Sequence, residues 1–128
     1  DITGASALFE QSLEIQESLG NLQGKAATLH EMGRLKTNTG DITGAIALYQ
    51  QSLEIEESLG NLQGKAMTLQ WLGWLAADAQ GDYETAFNYL QQSLDILQHL
   101  QSPEAEKVKK IIADVQQRAS YKKNQSRD

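Results

Sequence analysis

The sequence predicts an all-α fold, an α-solenoid of about six helices stacked as antiparallel pairs. Three observations carry the prediction. Segment 1–40, DITGASALFEQSLEIQESLGNLQGKAATLHEMGRLKTNTG, returns at 41–80 as DITGAIALYQQSLEIEESLGNLQGKAMTLQWLGWLAADAQ, with 26 of 40 positions identical and no gap. A looser third copy begins one residue late, GDYETAFNYLQQSLDI at 81–96 answering GDITGAIALYQQSLEI at 40–55. Apolar residues recur at helical spacing, while strand signals are missing: there are only two valines, and no alternating run is bounded by hairpin turns.

The elements follow in order. Within 41–59, Ile42, Ala45, Leu48, Tyr49, Ser52, Leu53, Ile55 and Leu59 recur three and four residues apart. They cover more than a narrow stripe, as expected of a helix with neighbours on two sides. Asp1, Asp41 and Asp82 stand where an N-cap is needed; Gly20 and Gly60 (with Asn61 after it), then Gly40 and Gly81, stand where a left-handed stop is needed. Ser102-Pro103 opens the last helix, since proline is tolerated at the first helical position. Helices are therefore expected over 2–19, 23–38, 42–59, 63–79, 83–100 and 103–120. The short links force consecutive helices to run antiparallel. Such a pair cannot bury its apolar face alone, so pairs stack into one domain, 1–120. Residues 1–20 form an orphan second helix, 23–59 and 63–100 form repeats, and 103–120 form a cap whose apolar side is Val108, Ile111, Ile112 and Val115. The remainder, 121–128, reads as a frayed basic tail.

Composition narrows the function. A chain of 128 residues with 40% hydrophobic content suffices for one core. The absence of cysteine excludes disulfides, thiolate chemistry and Cys-based metal sites. No apolar run is long enough to span a membrane and no signal peptide is visible. The lack of cysteine is compatible with the cytoplasm, which is the expected compartment. The chain opens at Asp1 inside a repeat, which predicts a segment of a longer protein. Residues 1–100 hold 4 Lys/Arg against 13 Asp/Glu, a net charge of −9, while 101–128 hold 7 against 4, a net of +3. An acidic body argues against nucleic acid as ligand, because phosphate contacts need Lys and Arg.

Leu69-x-x-Leu72-Gly73 followed by Ala86-x-x-x-Leu90, and Leu29-x-x-Met32-Gly33 followed by Ala45-x-x-x-Tyr49, resemble the tetratricopeptide repeat. The resemblance is closest to the longer 40–42-residue variety, with its SLEI-x-E-x-LGN-x-x-GKA segment, as in kinesin light chains and many bacterial arrays, and it covers about 1–100. It implies that Gly33 and Gly73 leave room for the partner helix to approach, and that Ala45 and Ala86 do the same on that partner. It implies also that the first helix of each repeat lines a concave surface. Lys36 and Ala76 depart from the family's usual tyrosine, and the closing proline is missing.

Catalytic constellations are weak. Gly20-Asn21-Leu22-Gln23-Gly24-Lys25 and its copy at 60–65 imitate a phosphate loop, but that loop needs four residues between its glycines, then Ser or Thr, and a preceding strand. A helix corner is the expected structure, with its lysine near Glu17 or Glu57. His30 and His99 fall in different repeats with no second histidine at metal spacing. Glu14, Glu17, Glu54, Glu56 and Glu57 read as a solvated helix face. No enzyme activity, cofactor or metal is expected.

The mismatches between the repeats say more. Of 14, ten fall in 27–40, so the packing helix is copied and the first helix is individualised. With Gly33 and Gly73 set toward the core, a wheel of 100° per residue puts Ala27, His30, Arg34, Thr37 and Asn38 on the far side of one helix. On the next it puts Met67, Gln70, Trp74, Ala77 and Asp78, with Trp71 at the edge. These are the expected groove residues, and Trp74 is the expected anchor, since Trp and Arg are enriched among binding hot spots. The competing reading packs Trp71 and Trp74 against their neighbours. The expected function is a non-catalytic scaffold holding a partner peptide or helix. The alternatives are self-assembly through the exposed first helix, and a regulatory domain of a larger bacterial protein.

Overall fold

The computed structural model describes residues 2–125. Among them the chain is all-α, with six helices: α1 (Ile2–Leu19), α2 (Leu22–Asn38), α3 (Ile42–Leu59), α4 (Leu62–Asp78), α5 (Tyr83–His99) and α6 (Glu104–Gln125). Sequential helices pack as antiparallel pairs. Two compact units divide between Thr68 and Leu69, inside α4.

In the first unit α2 packs against both α1 and α3. Its buried apolar residues are Ala26, Leu29, Ala45, Tyr49 and Ala66. Gly33 permits the approach of α3: a Cβ there would lie 3.0 Å from the Tyr49 ring. Ser52 donates to the Ala26 carbonyl at 3.0 Å, satisfying a buried hydroxyl across the pair.

In the second unit α5 packs on α6 and on α4, where a Cβ at Gly73 would lie 2.7 Å from Leu90 Cγ. Leu69, Leu72, Leu75, Leu90, Leu97, Val108 and Val115 form its core.

The expected ends recur with small shifts. Asp41 and Asp82 cap α3 and α5, accepting from the Gly44 and Thr85 amides. Asn21 and Asn61 cap α2 and α4 in the same way, which starts those helices at Leu22 and Leu62. The cap expected at Asp1 lies outside the described residues. Gly20 and Gly60 are left-handed and end their helices with bonds from Asn21 N to the Gln16 carbonyl and from Asn61 N to the Glu56 carbonyl. The third copy lacks this glycine. Gln101 takes its place at φ 55°, with the matching bond from Ser102 N to the Leu97 carbonyl.

The end of α6 departs from expectation. It runs to Gln125, so residues 121–125 of the expected tail are helical, while 126–128 lie outside the described residues. Lys122 reaches the Gly81 carbonyl at 3.4 Å and lies 5.4 Å from the centre of the Tyr83 ring. Arg118 pairs with Asp78 and Asp114, each at 3.0 Å. Glu104 and Glu106 in the first turn and Lys122 and Lys123 in the last complement the helix dipole.

Candidate functional site

The corner that imitates a phosphate loop is a structural turn. Asn21 accepts from Gly24 N at 2.9 Å, and Lys25 pairs with Glu17 at 3.3 Å; in the copy, Asn61 accepts from Gly64 N at 3.0 Å and Lys65 pairs with Glu57 at 3.7 Å. Among the described residues no group of three His, Asp or Glu side chains stands in a metal-binding arrangement. Among the described residues no helix is long and apolar enough to cross a membrane.

In the first unit, three of the expected groove residues meet. Ala27, His30 and Met67 line a cleft of about 290 Å³ together with Ala26, Glu31, Glu56 and Gly64. His30 also stands edge-on to Tyr49, ring centres 5.1 Å apart. Burial lowers its pKa; Glu31 opposes the shift and Arg34 adds to it. Burial likewise pushes the Tyr49 hydroxyl up to about 12. Arg34 is exposed and paired with Glu31 at 3.3 Å, one turn back on the same helix. Thr37 turns inward and donates to the Gly33 carbonyl at 2.9 Å. Asn38 is exposed.

In the second unit, Trp71 and Trp74 meet edge to face, ring centres 6.1 Å apart at 81°. Trp71 is half-buried, whereas Trp74 remains 36% exposed. Two expectations for this helix need correction. Gln70 and Ala77 were assigned to the open side, but both are buried, at 7% and 4% exposure. The reason is that α4 is enclosed on more than one side: Thr68, Leu69, Gln70, Leu72, Gly73, Leu75, Ala76 and Ala77 are all buried. The Gln70 Oε1 has no hydrogen-bond partner among the described residues. Asp78 is exposed but committed to Arg118.

Sequence reasoning missed Glu56. Glu14, Glu17, Glu54 and Glu57 do lie on an exposed face, but Glu56 is only 7% exposed. Its Oε1 accepts from the Thr68 hydroxyl at 2.7 Å. The same bond occurs in the first copy, where Gln16 accepts from Thr28 at 2.7 Å. Burial raises the Glu56 pKa, and the Thr68 bond, with the nearby Ser52 hydroxyl, only partly offsets it. The signal was present: Gln16 against Glu56 is one of four mismatches before residue 27, each member followed twelve residues later by an identical threonine.

A model of the tetratricopeptide repeat matches residues 24–99, more than half of the chain. No curated protein matches it.

Proposed function

Because the chain belongs to the tetratricopeptide repeat family, whose repeats mediate protein interactions and are typically non-catalytic, we propose that it binds a segment of a partner protein on the open sides of α2 and α4. The segment is an extended peptide or a helix. In the first unit Ala27, His30, Arg34, Asn38 and Met67, and in the second unit Trp71 and Trp74, are the proposed contacts. Thr37, Gln70 and Asp78 are held by internal bonds or burial and serve as supports. One observation carries the reading: α1 and α3 are near copies, α2 and α4 are not, and the variable helices expose Arg34 and Trp74. A half-exposed tryptophan beside an apolar neighbour supplies the anchor that interface hot spots require. The forty-residue period and the SLEI…LGN…GKA segment support the longer variety of the repeat, as in kinesin light chains and bacterial arrays.

The test is affinity capture, with captured proteins identified and their binding reconstituted from purified components. A partner retained by the native domain and lost by an Arg34→Glu/Trp74→Ala variant of equal helicity is the expected result. Equal binding by both would refute the assignment.

A second reading, self-assembly, is favoured by α1. Leu8, Ile15 and Leu19 are 67%, 58% and 74% exposed, whereas their copies Leu48 and Ile55 are half-buried. It predicts a dimer in sedimentation equilibrium that Leu8→Glu/Ile15→Glu converts to monomer. A native monomer at high concentration would sink it.

A further inference from the structure

We propose that the cleft between α2 and the start of α4 receives the ammonium group of a lysine side chain from a basic segment of the partner, with the Glu56 carboxylate as its receptor. The proposal rests on the partner-binding reading above and names the chemistry it selects.

The argument begins with charge. A buried carboxylate is costly unless it gains a cation. Residues 1–100 contain four, and each lies on another acid: Lys25 on Glu17, Arg34 on Glu31, Lys36 on Asp41 and Lys65 on Glu57, at 3.3–3.7 Å. The helix that carries Glu56 contains no Lys or Arg. In the second unit Lys109 lies on Glu106, Arg118 on Asp78 and Asp114, and Lys122 on the Gly81 carbonyl. Glu56 has no ion-pair partner among these cations.

The geometry favours lysine over arginine. One Glu56 oxygen already accepts from Thr68 inside the protein, which disfavours the planar two-pronged contact that suits a guanidinium. The other lies against Gly64, where a Cβ would be 2.5 Å from Oε2, so the glycine is what lets the carboxylate sit at the cleft wall. One acceptor at the end of a cleft suits a compact point charge. The walls supplied by Ala26, Ala27 and Met67 suit a methylene stem, which packs on apolar surface while its charged end is held. Glu31 also lines the cleft but is spent on Arg34, which leaves Glu56 as the receptor, and the net −9 of residues 1–100 attracts a basic segment from a distance. The first copy cannot do this, because Gln16 makes the same threonine bond without the charge.

The test uses the ¹⁵N-labelled chain and end-blocked pentapeptides with one central lysine, Nε-acetyllysine or arginine, and an unblocked lysine-free peptide whose α-ammonium is free. The lysine peptide is expected to shift the amides of Ala27, His30, Gly64 and Met67. It should bind about tenfold more tightly than the acetyllysine peptide, as a charge-assisted bond implies, and Glu56→Gln should abolish that difference. The variant will fold, since Gln16 already fills the equivalent place. Shifts elsewhere, none at all, or equal binding of the acetyllysine peptide or by the variant would overturn the proposal. Equal binding of the arginine or free-amine peptide would overturn the choice of lysine. With the captured partner, loss in Arg34→Glu/Trp74→Ala but retention in Glu56→Gln would reject the ammonium receptor and leave the partner reading standing.

Discussion

Replacing Gly73 by alanine will destabilise the second unit, although alanine is the better helix former. The intrinsic gain in α4 is about 1 kcal/mol. Against it stands the close approach of α5. The new methyl would lie 2.7 Å from Leu90 Cγ, 2.9 Å from its Cδ2 and 3.2 Å from the Ala86 carbonyl oxygen. Carbon atoms pack at about 3.5–4.0 Å, so Leu90 must retreat by the better part of an ångström. It has nowhere to go, being fully buried, and Cγ is a branch point rather than a flexible end. Overpacking of this kind costs about 1–3 kcal/mol, and with the backbone oxygen also in the way the upper part of that range applies. The net loss is then about 1–2 kcal/mol, or a Tm lower by about 4–8 °C for a chain of this size. Thermal and urea unfolding followed by circular dichroism measure it. A double-mutant cycle identifies the cause: in the Leu90→Ala background the added methyl meets a cavity, so the pair should couple favourably by about 0.5 kcal/mol or more. A Gly73→Ala variant as stable as the native chain, or strict additivity with Leu90→Ala, would refute the reasoning.

Gln101→Gly should stabilise the α5–α6 corner by about 0.5–1 kcal/mol, because residue 101 is left-handed at φ 55° where the other copies carry glycine; an unchanged urea midpoint would show that the conformation costs nothing. Two groups that line the cleft of the first unit, Glu56 and His30, set opposed pH dependences. The folded state holds the Glu56 proton more tightly than the unfolded chain, so this group adds stability as pH falls from its raised pKa toward the ordinary glutamate value, and withdraws it as pH rises. Glu56→Gln should therefore be more stable than the native chain at neutral pH, by a margin that shrinks on acidification; a margin that grows in acid would contradict the assignment. His30 acts the other way. Its lowered pKa means that stability is lost as pH falls through the ordinary histidine range, and His30→Gln, the residue found at position 70, should flatten that loss in a stability–pH profile.

Most of the fold was legible because helix period, caps and stops are local. The spacing of Ile42, Ala45, Tyr49 and Ser52 and the caps at Asp41 and Asp82 need only a few neighbouring residues to act. What escaped depends on distant contacts. The last turn of α6 is polar and carries no apolar signal, and its Lys122 meets Gly81 across 41 residues of sequence. The burial of Gln70 escaped because a wheel assumes one buried direction and α4 has several. Glu56 escaped for a related reason: three glutamates lie within four residues, and only packing decides that Thr68 draws the middle one inward while Glu54 and Glu57 stay in water. The candidate contacts were legible as variable positions, but the cleft that joins Ala27, His30 and Met67 to Glu56 was not, since the glutamates of that packing helix read as its solvated face.

The matched hydrogen bonds of Gln16 and Glu56 have an evolutionary consequence. Carboxamide and carboxylate have nearly the same shape, and the threonine hydroxyl donates to either. Glutamine and glutamate codons differ by a single base at the first position. An array duplicated from one template can thus acquire or lose a charge selector through one point mutation, with no compensating change in packing. Each corner of this kind becomes an independent character in a combinatorial code, written on the helix that is otherwise copied most faithfully.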